Sequence, residues 1–381
     1  MNNEKKIVEF VSKYAKRAVK EIKEKGYLSG GKNGPYNDNE TPLRISSHWI
    51  KIFSWLFQKE NNNEYLEYIK ILANYISSQA IYVDENIVTF CSRNKKNKDH
   101  VNGTIGNAWI IEGLVEASKV LNNIDYYNLS VKVFLSFQFN EKLGIWNRYE
   151  IDGRILGYDE TFNHQLWLAV AASEIISYKN NEIIKRQLDI FLNKLNNNKL
   201  YRIHKNGLIK HFSYIDDTLR HKLGFIKNHL FRDYSKNRNL KYKEEGYHYF
   251  ALYGLACLKN AYPEHSVFKG NKINKSIEYA FDKKNYERQM NRSSYEDGTG
   301  LAMNLSPNAT INIYCFPYNS PTFELPFIVK TFTNKKMNDI EFDELWNYQT
   351  KLIKEKENNI SNNINDYDTL IARIYELLMA L

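Results

Sequence analysis

Cysteine is scarce. Cys91, Cys257 and Cys315 are the whole complement of a 381-residue chain, odd in number and far apart. That argues against a disulfide framework and for a reducing compartment. Uncharged apolar runs near twenty residues are missing, so no transmembrane span is expected. Residues 1–26 mix acids and bases without a continuous apolar core, which is not the pattern of a signal peptide. These absences together point to the cytoplasm. No run of five basic residues and no nucleic-acid fingerprint occurs, so the net charge of +9 is read without a nucleic-acid partner. An anionic glycan, a lipid phosphate at a membrane surface or plain solubility accounts for it equally well. HxxxH, HExxH and Cys-rich spacings are absent, as are a P-loop, GxSxG and a dinucleotide fingerprint. Neither a metal nor a cofactor is expected. Asp216-Asp217 resembles half of a diphosphate-binding acid pair, but no second motif accompanies it.

Aromatic residues are abundant: 28 Tyr, 20 Phe and 6 Trp. Such rings suit sugar faces and suit helix packing. Apolar periodicity marks helices over 4–25, 45–58, 63–81, 103–120, 124–138, 161–177, 181–195, 245–259, 270–284, 321–333, 339–356 and 366–380. Asp152-Gly153 and Asn206-Gly207 mark hairpin turns. Helices apolar on one stripe alternate with helices apolar almost all round. That is the pattern of an outer ring enclosing an inner one. Trp49, Trp109 and Trp167 recur on three inner candidates about sixty residues apart. The reading is all-α: one (α/α)6 barrel domain over residues 1–381 with short β-hairpin insertions.

In such a barrel the N-terminal ends of the inner helices meet at one mouth, where helix dipoles favour anions. Polar side chains cluster there. Asp159 and Asp99 are the candidate catalytic pair, assisted by His164 and Glu245. Arg44, His48, Arg93, His100, Asn163, Trp109, Trp167, Tyr247 and His248 are the candidate sugar-binding set. Two carboxylates in different environments are the equipment of glycosidic cleavage. The competing readings stay open. Each acid can be a helix cap contributing about 1 kcal/mol, each His a satisfied core residue, and each Trp part of the packing.

The stretches TPLRISSHWI, FCSRNKKNKDHVNGTIGNAWIIEGL, GIWNRYEIDGRILGYDETFNHQLWLA and EGYHYFALYGLACL resemble the AglQ-like proteins of surface-glycan gene clusters. That family is similar in fold to six-hairpin glycosidases of the unsaturated glucuronyl and rhamnogalacturonyl hydrolase type. The resemblance implies an (α/α)6 barrel acting on an oligosaccharide or lipid-linked glycan, plausibly one containing a hexuronic acid. In the hydrolase relatives, aspartates before two inner helices carry the chemistry. Asp159 in GYDETFNHQLW and Asp99 in KDHVNG stand in comparable places. A glycoside hydrolase-like enzyme of surface-polysaccharide or N-glycan assembly is therefore the leading expectation. A uronyl C5-epimerase or lyase leaning on Tyr247, His164 or His100 is the second, and a non-catalytic glycan-binding barrel the third.

Overall fold

The computed structural model describes residues 3–36, 38–197, 199–213, 223, 238–292, 312–333, 342–357 and 367–381. Asp216-Asp217, most of the 213–242 stretch and the loop positions Gly298, Gly300 and Pro307 lie outside them.

Apolar spacing decides which helices sit inside. α1 (Asn3–Lys25) buries Ile7, Phe10, Val11, Tyr14, Ala15, Ala18 and Ile22, a single stripe. Beyond α2 (Pro42–Glu60) and α3 (Glu64–Ser78), α4 (Ile105–Leu121) buries every residue from Ile105 to Val115. A helix with no polar face must be enclosed by neighbours. α5 (Ile124–Leu135) follows, then α6 (Phe162–Tyr178), again enclosed. α7 (Glu182–Leu195) returns to one stripe of Ile184, Leu188, Phe191, Leu192 and Leu195. The Asn181 side chain accepts from the Ile184 amide at 3.1 Å and caps that helix. The later helices are α8 (Arg238–Gly246), α9 (His248–Ala261), α10 (Asn271–Phe281), α11 (Lys283–Gln289), α12 (Pro321–Phe332), α13 (Phe342–Glu357), α14 (Tyr367–Ala372) and α15 (Tyr375–Leu378).

The packing partners form a cycle. α2 packs on α4, α4 on α6, α6 on α9, α9 on α12 and α12 on α15; α14 and α15 then pack back on α2. α3, α5, α7, α10 and α13 each lie against a member of that cycle, and α1 covers α2 and α3. Buried apolar side chains from Ile7 to Leu378 make one continuous cluster. Fully burying each Leu, Ile or Phe in it contributes roughly 1.5–3 kcal/mol. No helix among the described residues is long and apolar enough to cross a membrane.

Several boundaries differ from the sequence reading, and the helix expected over 270–284 is broken at Asp282. The helix expected over 245–259 starts at His248, and a separate α8 precedes it. The break falls at Tyr247, next to Gly246, where a Cβ would collide with the Tyr314 backbone, so only glycine lets the two chains cross. The helix expected over 366–380 is interrupted at Arg373 and Ile374, which places the Arg373 guanidinium among Glu324, Glu376 and Asn319.

Small sheets line the end of the cycle where the inner helices begin. β1 (Lys32–Asn33), β2 (Asp38–Glu40) and β5 (Arg93–Asn94) form one antiparallel sheet. β3 (Ile81–Tyr82) and β4 (Val88–Thr89) form a second, and β6 (Phe139–Asn140), β7 (Ile145–Tyr149) and β8 (Ile155–Tyr158) a third. Gly153 turns β7 into β8 at φ 84°, a left-handed position suited to glycine. In the second hairpin, Ile203 pairs with Ile209 around Gly207 at φ 95°.

Candidate active site

A cavity of about 360 Å³ opens where α2, α4, α6 and α9 begin and just before α12. Arg44, Trp109, Asn163, His164, Tyr247 and Asn319 line it from those elements.

Its organising feature is the turn into α4. Thr104 occupies the N-cap but its side chain makes no cap bond. Two carboxylates brought from elsewhere hold the amides instead: Asp99 accepts from Gly103 at 2.6 Å and Asp159 from Thr104 at 3.0 Å. Asp159 also accepts from the Thr161 amide at 3.1 Å and bonds His164 Nδ1 at 2.8 Å. Gly103 has φ 63°, and a Cβ there would strike both Asp159 Oδ2 and His164 Nδ1. The absence of a side chain lets the dyad close over the turn.

Burial by itself would raise the Asp159 carboxyl. The His164 charge and hydrogen bond, with the Thr104 and Thr161 amides, overcome it and draw the pKa down to about 2. Asp159 is therefore an anion at ordinary pH, with both oxygens engaged. Such a group orients an imidazole and steadies its protonated form. With Nδ1 committed to Asp159, Nε2 is the His164 nitrogen left for a ligand.

His211 is the second cavity histidine. An antiparallel bridge between Thr161 and Phe212, with the Phe162 amide donating to the His211 carbonyl at 3.0 Å, fastens it beside the start of α6. Its ring stacks on Tyr247 with centroids 5.4 Å apart. Burial first, then Lys243 and His164, hold its pKa down near 3, against a smaller opposing pull from Asp159. It is a neutral imidazole. Behind it the Tyr247 hydroxyl donates to Tyr318 at 3.0 Å, and the Tyr318 hydroxyl donates to Asn33 at 2.9 Å. Burial, Tyr318 and Tyr36 push the Tyr247 phenol well above its ordinary range, so it keeps its proton.

The charged lining is all basic: Arg44, Arg93, Lys98, Arg148, Lys243 and Arg373. Among the described residues no carboxylate lines this cavity. Arg44 is clamped by Glu40 at 3.1 Å and lies 3.9 Å over the Trp109 ring. Arg93 spans the Asp99 carboxylate at 2.9 Å and Asn102 at 2.7 Å. Arg373 is held by Glu324, by Glu376 at 2.9 Å and by Asn319 at 2.9 Å.

Of the residues named from sequence, Arg44, Arg93, Trp109, Asn163, His164 and Tyr247 line the cavity. The rest stand behind it. Asp99 and Asp159 do not face each other across open space; they grip consecutive amides of one turn. His48 accepts from Arg44 Nε at 3.3 Å and stacks on Tyr375, and burial holds it neutral. His100 is tied to Glu150 at 3.1 Å. Trp167 is packed between Phe250 and Tyr253 and is 1% exposed. Glu245 is buried with Arg288 at 3.6 Å. His248 accepts from the Ile209 amide at 3.3 Å and meets the Ser276 carbonyl at 3.0 Å, a fully satisfied core residue. Sequence reasoning placed Tyr318 among the polar residues at the mouth but passed over His211, Lys243 and Arg373. His211 sits near the end of the hairpin 199–212, Lys243 on α8 in a stretch that the sequence pattern did not mark as helical, and Arg373 at the break between α14 and α15.

Comparison with known proteins follows the same line. No protein-family model matches the chain. Two solved structures share the fold. One is a D-mannose isomerase (TM-score 0.54, 15% identity, 94% of this chain and 93% of that one). The other is a sugar epimerase from a ruminal bacterium (TM-score 0.54, 15% identity, 87% of this chain and 81% of that one). In sequence, archaeal glycosylation protein Q of Haloferax volcanii is 31% identical over 365 residues, 92% of this chain and 91% of its own. At that identity and coverage, the chain belongs to the family of archaeal glycosylation protein Q.

Proposed function

We propose that this protein is a sugar isomerase or epimerase of glycan assembly. In this reading a single (α/α)6 barrel domain moves a proton at a sugar carbon next to a carbonyl or carboxylate. The closed cycle of helix contacts supports the barrel. One observation carries the chemistry: the cavity presents two histidines in opposed environments, His164 on an ionised Asp159 and His211 held neutral, and no lining carboxylate among the described residues. Groups whose surroundings push their proton affinities apart divide the acid and base roles between them.

His164 Nε2 takes the carbon-bound proton, and Asp159 stabilises the imidazolium that forms. The neutral His211 ring donates a hydrogen bond to the oxygen on which negative charge builds. Return of the proton to the neighbouring carbon gives isomerisation, and its return to the opposite face of the same carbon gives epimerisation. The two structural neighbours, an isomerase and an epimerase, lean the same way.

The glycoside-hydrolase reading draws less support. It requires two carboxylates flanking the scissile bond roughly 5–9.5 Å apart, whereas Asp99 and Asp159 spend their oxygens on adjacent amides. The test is solvent-deuterium exchange in D2O with mannose, fructose, their 6-phosphates and glucuronic acid, followed by NMR. Wild type is expected to wash deuterium into C2 or C5, and His164→Gln to lower that rate by roughly 10²–10⁴. Release of new reducing ends at a rate untouched by His164→Gln would overturn the proposal.

A further inference from the structure

One wall of the cavity holds more positive charge than its neighbours neutralise. Arg148 reaches Asp99 at 3.9 Å, and Arg93 bridges Asp99 at 2.9 Å and Asp38 at 3.7 Å. Lys98 and Lys95 meet the same Asp38 at 2.6 and 3.4 Å. Lys243 pairs with no carboxylate of the described residues. Its ammonium stands 5.3 Å from the Tyr36 ring, and that of Lys98 stands 4.7 Å from the same ring. Among the described residues, four lining cations, Arg93, Lys98, Arg148 and Lys243, thus share two carboxylates, one of which also meets the more exposed Lys95, an excess of at least two positive charges. Arg148 adds a buried Nε with no partner.

A single sugar carboxylate would leave part of that excess unanswered, in a cavity where repulsion between close cations is poorly screened. A phosphate carries about two negative charges and three acceptor oxygens, enough to engage Lys98, Arg148 and Lys243 together. Tyr36 supplies an apolar floor between the two ammonium groups. Lys243 also acts electrostatically on His211, so an anion held here lies on the His211 side of the reacting sugar.

We infer that Lys98 and Lys243, beside Tyr36, and Arg148 on the same cavity lining form a phosphate subsite, so that the substrate is a phosphorylated or phosphate-linked sugar rather than a free one. The inference rests on the proposed sugar-modifying cavity and names what that cavity selects. Lys243 is its specificity-determining residue, because among the described residues it is the lining cation with no carboxylate partner to give up.

The test reads binding rather than turnover, so it stands or falls separately from the proton-transfer reading. Isothermal titration of the full chain would use inorganic phosphate, glucose 1-phosphate, uridine diphosphate glucose and glucuronate. Wild type is expected to bind the phosphate-bearing probes, more weakly as ionic strength rises. Lys243→Met is expected to bind them about tenfold more weakly and Lys243→Arg to recover most of the loss. Circular dichroism and melting checks that both variants fold. Tighter binding of glucose 1-phosphate marks a sugar monoester as the source, and tighter binding of uridine diphosphate glucose marks a carrier-linked sugar. Equal phosphate affinity in wild type and folded Lys243→Met overturns the inference. So does glucuronate binding that depends on Lys243 while phosphate binding does not.

Discussion

Replacing Asp159 by Asn keeps the size of the side chain and removes its charge. Two losses follow from the geometry. The Thr104 amide and His164 Nδ1, at 3.0 and 2.8 Å, both converge on Oδ2. An amide cannot offer two acceptor oxygens, so at least one contact is lost or reversed. The drop of the carboxyl pKa from 3.8 to about 2 corresponds to about 2.5 kcal/mol of stabilisation of the ionised form. Because the folded value lies below the unfolded one, that stability is complete above about pH 4. It disappears as pH falls through 2. Asp159→Asn is therefore expected to lose about 2–3 kcal/mol at pH 7, a melting point lower by about 3 °C in a chain of this size. Its stability should then fall less steeply than that of wild type between pH 4 and 2. Activity should fall further than stability, by 10²–10⁴ in deuterium exchange, since His164 loses the group that fixes its tautomer. Calorimetry at pH 7, 4 and 2.5, beside exchange at a temperature where both proteins are folded, measures the two effects. An acid limb identical to wild type would refute the ion-pair reasoning. Exchange within a few-fold of wild type would refute the orienting role.

Two further outcomes follow. Gly103→Ala puts a Cβ into Asp159 Oδ2 and His164 Nδ1 at a residue with φ 63°; a loss of roughly 1–3 kcal/mol is expected on thermal melting, together with a weakened dyad. An unchanged melting point would show that the turn relaxes at little cost. His248 is held near pKa 4, chiefly by burial, against an ordinary 6.5. The unfolded chain binds this proton first, so stability is complete above pH 6.5 and declines as pH falls toward 4, by about 3 kcal/mol. His248→Gln should flatten that window in urea titrations at pH 7, 5.5 and 4.5, and an unaltered slope would place the acid sensitivity elsewhere.

Much of the architecture was legible without coordinates. The stripe in α7, the all-apolar α4 and α6 and the two glycine turns are local properties of spacing and backbone freedom. From them came the helix order and the gathering of polar residues at the starts of α2, α4, α6 and α9. The roles of Asp99 and Asp159 were not legible. Each is an acid before a helix; Asp99 reaches Gly103 within its own loop, but only the packing of α4 on α6 brings Asp159 to Thr104.

Sequence by itself determined which segments are helices and which of them are enclosed, because periodicity and burial are set one segment at a time. It also placed the polar clusters at helix starts. Only the tertiary structure decided which of those side chains enter the cavity. An inner helix is apolar on every side, so its pattern carries no phase to tell His164, which lines the cavity, from Trp167, buried against Phe250. His211 and Lys243 reach the cavity from a hairpin end and from α8, through contacts between segments that no local spacing encodes.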